Sequence, residues 1–149
     1  MACIHREAVI DVGAEEAWAV LRNTGEARTA FAPVLTGSHE ADGIRTVDFA
    51  NGMQLRERIL DVSDERRRVA YAALDAPGLT YHHASMQIDI AGPGRCRFVW
   101  ITDFLPADAA EALTPLIDRG TQALKHNLEA SVAAPRASEA APTTVPPRA

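Results

Sequence analysis

Residues 114–131 read TPLIDRGTQALKHNLEAS, and the fold is decided by how this stretch is read. Thr114 suits a helix N-cap, and Pro115 suits the first helical position, where a missing N–H costs nothing. Apolar or small residues recur at Ile117, Gly120, Leu124, Asn127/Leu128 and Ser131, one face of a helix, while Asp118, Lys125 and Glu129 fall on the other. At ~1.5 Å per residue such a helix is roughly 27 Å long, enough to cross a whole sheet. Almost everything between Val34 and this helix reads as strand. One amphipathic helix therefore has to cover one face of one antiparallel sheet, and a cavity is expected between them.

Upstream, Ile4–Val12 alternates, with Ala8, Ile10 and Val12 on one face, as in a half-buried edge strand. Gly13 ends it. Ala14–Asn23 then places Ala17, Trp18, Val20 and Leu21 on one side of a helix, with Glu15 and Glu16 in the first turn, where the helix dipole favours acids. Gly25 stops that helix, and Glu26–Phe31 forms a second before Ala32-Pro33. Six further strand patterns follow: Val34–Glu40, Ile44–Phe49, Leu55–Val62, Val69–Leu74, Thr80–Ile90 and Arg95–Phe104. Turn-rich connections join them with no βαβ crossover, so the fold class is α+β, a meander of roughly seven strands. At Asn51-Gly52 a two-residue turn would pair Thr46 with Glu57 and set the apolar faces of the two strands against each other. A longer loop, Ala50 to Gln54, resolves the conflict; the facing of Arg45 and Glu57 depends on it. Pro106–Leu113 reads as a helical lead-in, with a break at Pro115.

Composition narrows the class. The chain has 149 residues, 47% of them hydrophobic, and a net charge of −5, which fits one domain with a real core. An acidic body argues against nucleic acid and anionic membranes as partners. The one basic run, Arg66-Arg67-Arg68, sits between two strands and reads as a solvated turn. Cys3 and Cys96 match no metal spacing and read as free thiols of a cytoplasmic protein. No apolar run is long enough for a membrane span. Residues 1–132 form the cavity domain; residues 133–149, rich in Ala and Pro, read as a disordered tail.

Alternation also picks out the inward set. His82, Ala84, Met86 and Ile88 share one face of their strand, opposite Cys96, Phe98, Trp100, Thr102 and Phe104 on the next; Val69, Tyr71 and Ala73 also face in. The wall so formed is apolar and aromatic, with isolated polar groups at Glu57, Tyr71, His82 and Thr102, and Asn127 from the helix. Ligand contacts are expected at Tyr71, Met86, Phe98, Trp100, Thr102, Gly120, Leu124 and Asn127. The bland alternatives are an exposed Glu57 under the other register, a satisfied core histidine at 82, and Trp100 and Tyr71 as plain core. Gly120 either lets helix and sheet approach closely or opens space above the cavity. No nucleophile motif, phosphate loop or metal-ligand spacing occurs, so no cofactor or metal is expected. The candidates for catalysis are a carboxylate, Glu57, and an imidazole, His82, able to move protons to and from a carbonyl compound.

The segments AVIDVGAEEAWAVLRN, GIRTVDFANGMQLRERILDVSDERRRVAY and GRCRFVWITDFLP, in this order, resemble the START-like helix-grip (SRPBCC) superfamily, above all its polyketide cyclase/dehydrase and lipid-transport branch. The resemblance covers residues 4–132 and implies a helix-grip fold with an internal ligand cavity. Plant abscisic acid receptors, which share it, have a glutamate that Glu57 matches and a polar residue on the last helix that Asn127 matches. This chain lacks their lysine on the second strand, so recognition of a carboxylate by that lysine does not carry over.

Three functions compete. One is a carrier or binding module for a small apolar or polyketide-like molecule; another is a cyclase, aromatase or dehydratase using Glu57 and His82. The third is a chaperone-activator-like interaction protein with a filled core. A monomer or homodimer fits each of them.

Overall fold

The computed structural model describes the backbone of residues 2–143 and the side chains of residues 2–132. Seven strands form one antiparallel sheet: β1 (Ala2–Ile10), β2 (Leu35–Ala41), β3 (Ile44–Phe49), β4 (Gln54–Ser63), β5 (Arg68–Leu74), β6 (Tyr81–Ile90) and β7 (Cys96–Leu105). Their spatial order is β1-β7-β6-β5-β4-β3-β2, so the meander from β2 to β7 is closed by the first strand on its far edge. Helices α1 (Ala14–Leu21) and α2 (Ala27–Phe31), joined by a 3-10 turn at Thr24–Glu26, fill the crossing from β1 to β2. Helix α3 (Ala110–Thr143) lies over the same face. This is the helix-grip arrangement.

Register places the core. Ile88 pairs with Phe98, Met86 with Trp100 and Ala84 with Thr102, so the inward rows of β6 and β7 stack opposite each other. Ile10, Ile88, Phe98, Cys96 and Leu124 are fully buried, with α1 contributing Ala14, Ala17, Trp18 and Leu21. A second, smaller cluster of Ile4, Phe104 and Ile117 closes the other end of the sheet. At the Asn51-Gly52 hairpin Val47 pairs with Leu55 and Arg45 with Glu57, as the longer loop requires. The Phe49 N–H donates to the Met53 carbonyl at 2.8 Å, and Gly52 supplies the positive φ of 91° that the turn needs.

Two helical expectations are corrected. The long helix does not begin at Thr114, nor does it break at Pro115. A 3-10 turn at Ala107–Ala109 leads into α3 at Ala110, and the helix runs through the proline. The ring removes one donor, for the carbonyl of Glu111, and Glu111 is an exposed residue, where the loss of one helical bond is tolerated. At the other end α3 continues past Ser131 to Thr143. The side chains of the expected tail, 133–149, lie outside the described residues, as do 144–149 altogether.

Helix α1 is fixed by one side chain. Trp18 is 4% exposed, and its Nε1 donates to Asp64 Oδ1 at 2.9 Å. Arg22 binds the same carboxylate at 2.8 Å; these bonds, Arg22's first, hold the Asp64 carboxyl below the usual range. Trp18→Ala should therefore cost ~3–5 kcal/mol, whereas Trp18→Phe, which keeps most of the packing, should lose far less. Urea unfolding of both variants checks this; a Trp18→Ala protein of wild-type stability would contradict the packing.

Candidate functional site

The site forms where the sheet comes apart. β5 and β6 are paired from Arg68/Gln87 to Tyr71/Ala84 and no further, although both strands continue. Beyond that point the Ala73 N–H, which would otherwise bond a β6 carbonyl, donates instead to His82 Nδ1 at 2.9 Å. The split opens beneath the first turns of α3, and a cavity of about 90 Å³ fills it.

Of the residues expected to face a ligand, Glu57, Tyr71, His82, Met86, Trp100 and Thr102 line this cavity. Four do not. Phe98 and Leu124 are core, each 0% exposed. Gly120 rests on the indole of Trp100: a Cβ there would lie 2.9 Å from Trp100 Cζ3, so the glycine serves close packing. Asn127 donates from Nδ2 to the carbonyls of Ala30 (2.9 Å) and Ala32 (2.8 Å), tying the end of α2 to α3. Its helix face was legible, but not that α2, rather than the cavity, lies against it.

The residue that sequence reasoning missed is Arg45. It lies on β3 directly opposite Glu57, and each is 7% exposed. Arg45 donates from Nε to one oxygen of Glu57, Oε1, at 2.9 Å, with Nη2 paired to the same oxygen at 2.8 Å, and from Nη1 to the Thr24 carbonyl at 3.3 Å. Its guanidinium lies 5.0 Å from the centre of the Tyr71 ring. The signal was present: Arg45 shares the parity of Val47 and Phe49, both of which line the cavity. The rim is completed by Leu113, Leu116 and Ile117 of α3 and Phe31 of α2.

Each polar group is set by its surroundings. Burial pushes the Glu57 carboxyl up, and the Arg45 guanidinium pulls against it. Tyr71 hydroxyl accepts from Trp100 Nε1 at 3.1 Å and keeps its own proton, since burial, then the nearby Glu57 charge, drives its ionisation upward. His82 is pushed down to about 4 by burial and by His83. With Nδ1 already accepting from Ala73, the neutral ring carries its proton on Nε2. His82 is therefore a hydrogen-bond donor at neutral pH, not the base that its residue type suggested. Glu57 Oε2, His82 Nε2 and the Thr102 hydroxyl have no protein hydrogen bond among the described residues. Elsewhere, Cys3 is exposed and Cys96 buried, both as free thiols. Among the described residues no helix is long and apolar enough to cross a membrane, and no three metal-ligating side chains converge.

The pattern of the family described as polyketide cyclase/dehydrase and lipid transport matches residues 1–129. A search of curated protein sequences gives no match. Among solved structures, an uncharacterized protein from Bacillus thuringiensis superposes with a TM-score of 0.78 at 18% identity, covering 85% of this chain and 98% of that one. The di-domain ARO/CYC BexL of the BE-7585A biosynthetic pathway gives 0.76 at 12% identity; 87% of this chain matches 47% of that one, about half its length. Norcoclaurine synthase from Thalictrum flavum, solved in complex with dopamine and hydroxybenzaldehyde, gives 0.69 at 20% identity, covering 88% and 86%. At these identities the likeness is one of fold.

His82 yields a pH dependence. Its folded pKa of about 4 lies below the ordinary value of 6.5, so its contribution to stability is complete above ~6.5. The contribution falls away as pH drops from there towards about 4, because the unfolded chain takes the proton first. Imidazole nitrogen NMR should show His82 as the Nε2–H tautomer at pH 6, with charging delayed to about pH 4. Ordinary titration near ~6.5 would contradict the burial and the Ala73 bond.

Proposed function

The chain belongs to the polyketide cyclase/dehydrase and lipid transport family, and on that footing we propose that it binds a small, mostly apolar molecule in the cavity between the sheet and the first turns of α3. One observation carries the reading. Unspent hydrogen-bonding atoms of Glu57, His82, Tyr71 and Thr102 border a cavity whose other lining residues, Arg45 apart, are apolar, and buried polar groups without partners are the exception in a folded chain. A ligand carrying hydrogen-bonding groups would supply those partners.

The volume of about 90 Å³ limits what fits without movement. Drug-sized ligands fill roughly 300–1,000 Å³. The cavity therefore holds one end of a polyketide-like molecule, or a compound of about one ring once the half-buried Leu113 and Leu116 give way. Proton transfer at the same place is the second reading. Glu57, whose carboxyl is raised by burial and has Oε2 free, is the one base left for it, because the lone pair of His82 is committed to Ala73. Holding a ligand is favoured over transforming it, since two coordinated proton carriers are not available. Two free thiols support a reducing, cytoplasmic setting.

Native mass spectrometry of the full chain purified from its own host tests the proposal. A co-purified molecule of a few hundred daltons or less, lost when Thr102→Phe fills the cavity, is expected. A bare mass under gentle ionisation, with no small apolar compound raising the melting temperature, would count against ligand binding and leave the interaction protein standing.

A further inference from the structure

We propose that the cavity selects an uncharged ligand, a small carbonyl or hydroxyl compound on an apolar body, and excludes carboxylic acids, fatty acids among them. The inference rests on the ligand-binding reading above and adds the class of ligand.

It follows from the charges that face the cavity from every element around it. β3 contributes Arg45, β4 Glu57, β5 Tyr71 and β6 His82; the lining residues of β2, β7, α2 and α3 carry no titratable group. Tyr71 and His82 are neutral at physiological pH, as their surroundings require. Arg45 and Glu57 cancel, through a hydrogen bond and a close ion-pair contact to one carboxylate oxygen, and a further Arg45 bond goes to the Thr24 carbonyl. The cavity thus contains a cation but offers no net charge.

A ligand carboxylate would meet that arrangement as a second anion. It could gain Arg45 only by displacing Glu57, which would then be buried and unpaired, or by sitting beside Glu57 where water screens little. A ligand cation meets the converse problem at Arg45. A neutral oxygen faces neither cost: Tyr71 O–H and His82 Nε2–H donate to a carbonyl, and the free Glu57 Oε2 accepts from a hydroxyl. The pair acts as a specificity determinant mainly through what it forbids. This parts company with lipid carriage wherever the lipid is a free acid.

Two isosteric pairs test it at neutral pH on the full chain: isobutyramide against isobutyrate, and benzamide against benzoate, followed by calorimetric titration and melting temperature. Wild-type protein should bind the amide at least about tenfold more tightly than the matching acid, a difference of ~1.4 kcal/mol. Glu57→Gln keeps the shape but uncovers Arg45. The variant should melt lower than wild type, with the order reversed, the carboxylate raising its melting temperature more than the amide does. Equal binding, or a preference for the acid in wild type, overturns the selectivity while cavity binding stands. Failure of all four probes to bind wild type overturns the binding reading and the selectivity with it. If Glu57→Gln does not fold, the wild-type ratio alone decides.

Discussion

A single helix about 10–12 Å across has to cover the concave face of seven strands, and the rest of the molecule follows from that mismatch. The later turns of α3 are seated firmly. Leu124 and Leu128 enter the core, Lys125 donates to the Val9 carbonyl at 2.8 Å, and Glu129 accepts the Asp11 N–H at 3.0 Å. α1 and α2 close the face beside it, clamped by Asn127 and by the Trp18–Asp64 bond. What the helices border but do not fill is the region under the first turns of α3, where β5 and β6 part. The cavity is the remainder left by helix cover and strand pairing, and so it is built into the fold.

Into that remainder the chain places its most expensive group. Removing two charges from water costs several kcal/mol per ion, which a buried pair recovers only with good geometry. Arg45 and Glu57 have it: directly opposed residues on paired strands, a hydrogen bond with an ion-pair contact beside it, and an aromatic ring near the guanidinium. An apolar pair of similar volume would serve stability as well or better. Its presence at the cavity wall, rather than elsewhere in the core, supports the proposed ligand site. Arg45 also reaches the Thr24 carbonyl in the turn between α1 and α2, so the polar end of the cavity is held by both sheet and helices.

The helix-grip fold was legible because its determinants are periodic. Alternation found the inward rows of β6 and β7, and the conflict of faces at Asn51-Gly52 was enough to require the longer loop that places Glu57 inside. The errors have a common origin in context that periodicity does not carry. Pro115 looked like a helix start because the exposure of Glu111, which makes a proline tolerable four residues on, is a tertiary fact. Asn127 lay on the right face of α3, but two carbonyls of the α2 end lie against it. Arg45 was passed over because arginine on a strand is ordinarily solvated, and only its opposite number explains its burial. The state of His82 depended on an N–H set free by a break in strand pairing, invisible before the register was known.

The space beside Arg45 and Glu57 is where we propose that a ligand sits. The chain carries two tryptophans, and they report on different places. The Trp100 indole N–H bonds Tyr71 at the cavity wall, whereas that of Trp18 bonds Asp64 away from it. A nitrogen–proton correlation spectrum recorded while benzamide is added should show the Trp100 indole signal moving to saturation with that of Trp18 fixed. Saturable binding that moves the Trp18 signal and leaves Trp100 unchanged would place the ligand elsewhere and contradict the account.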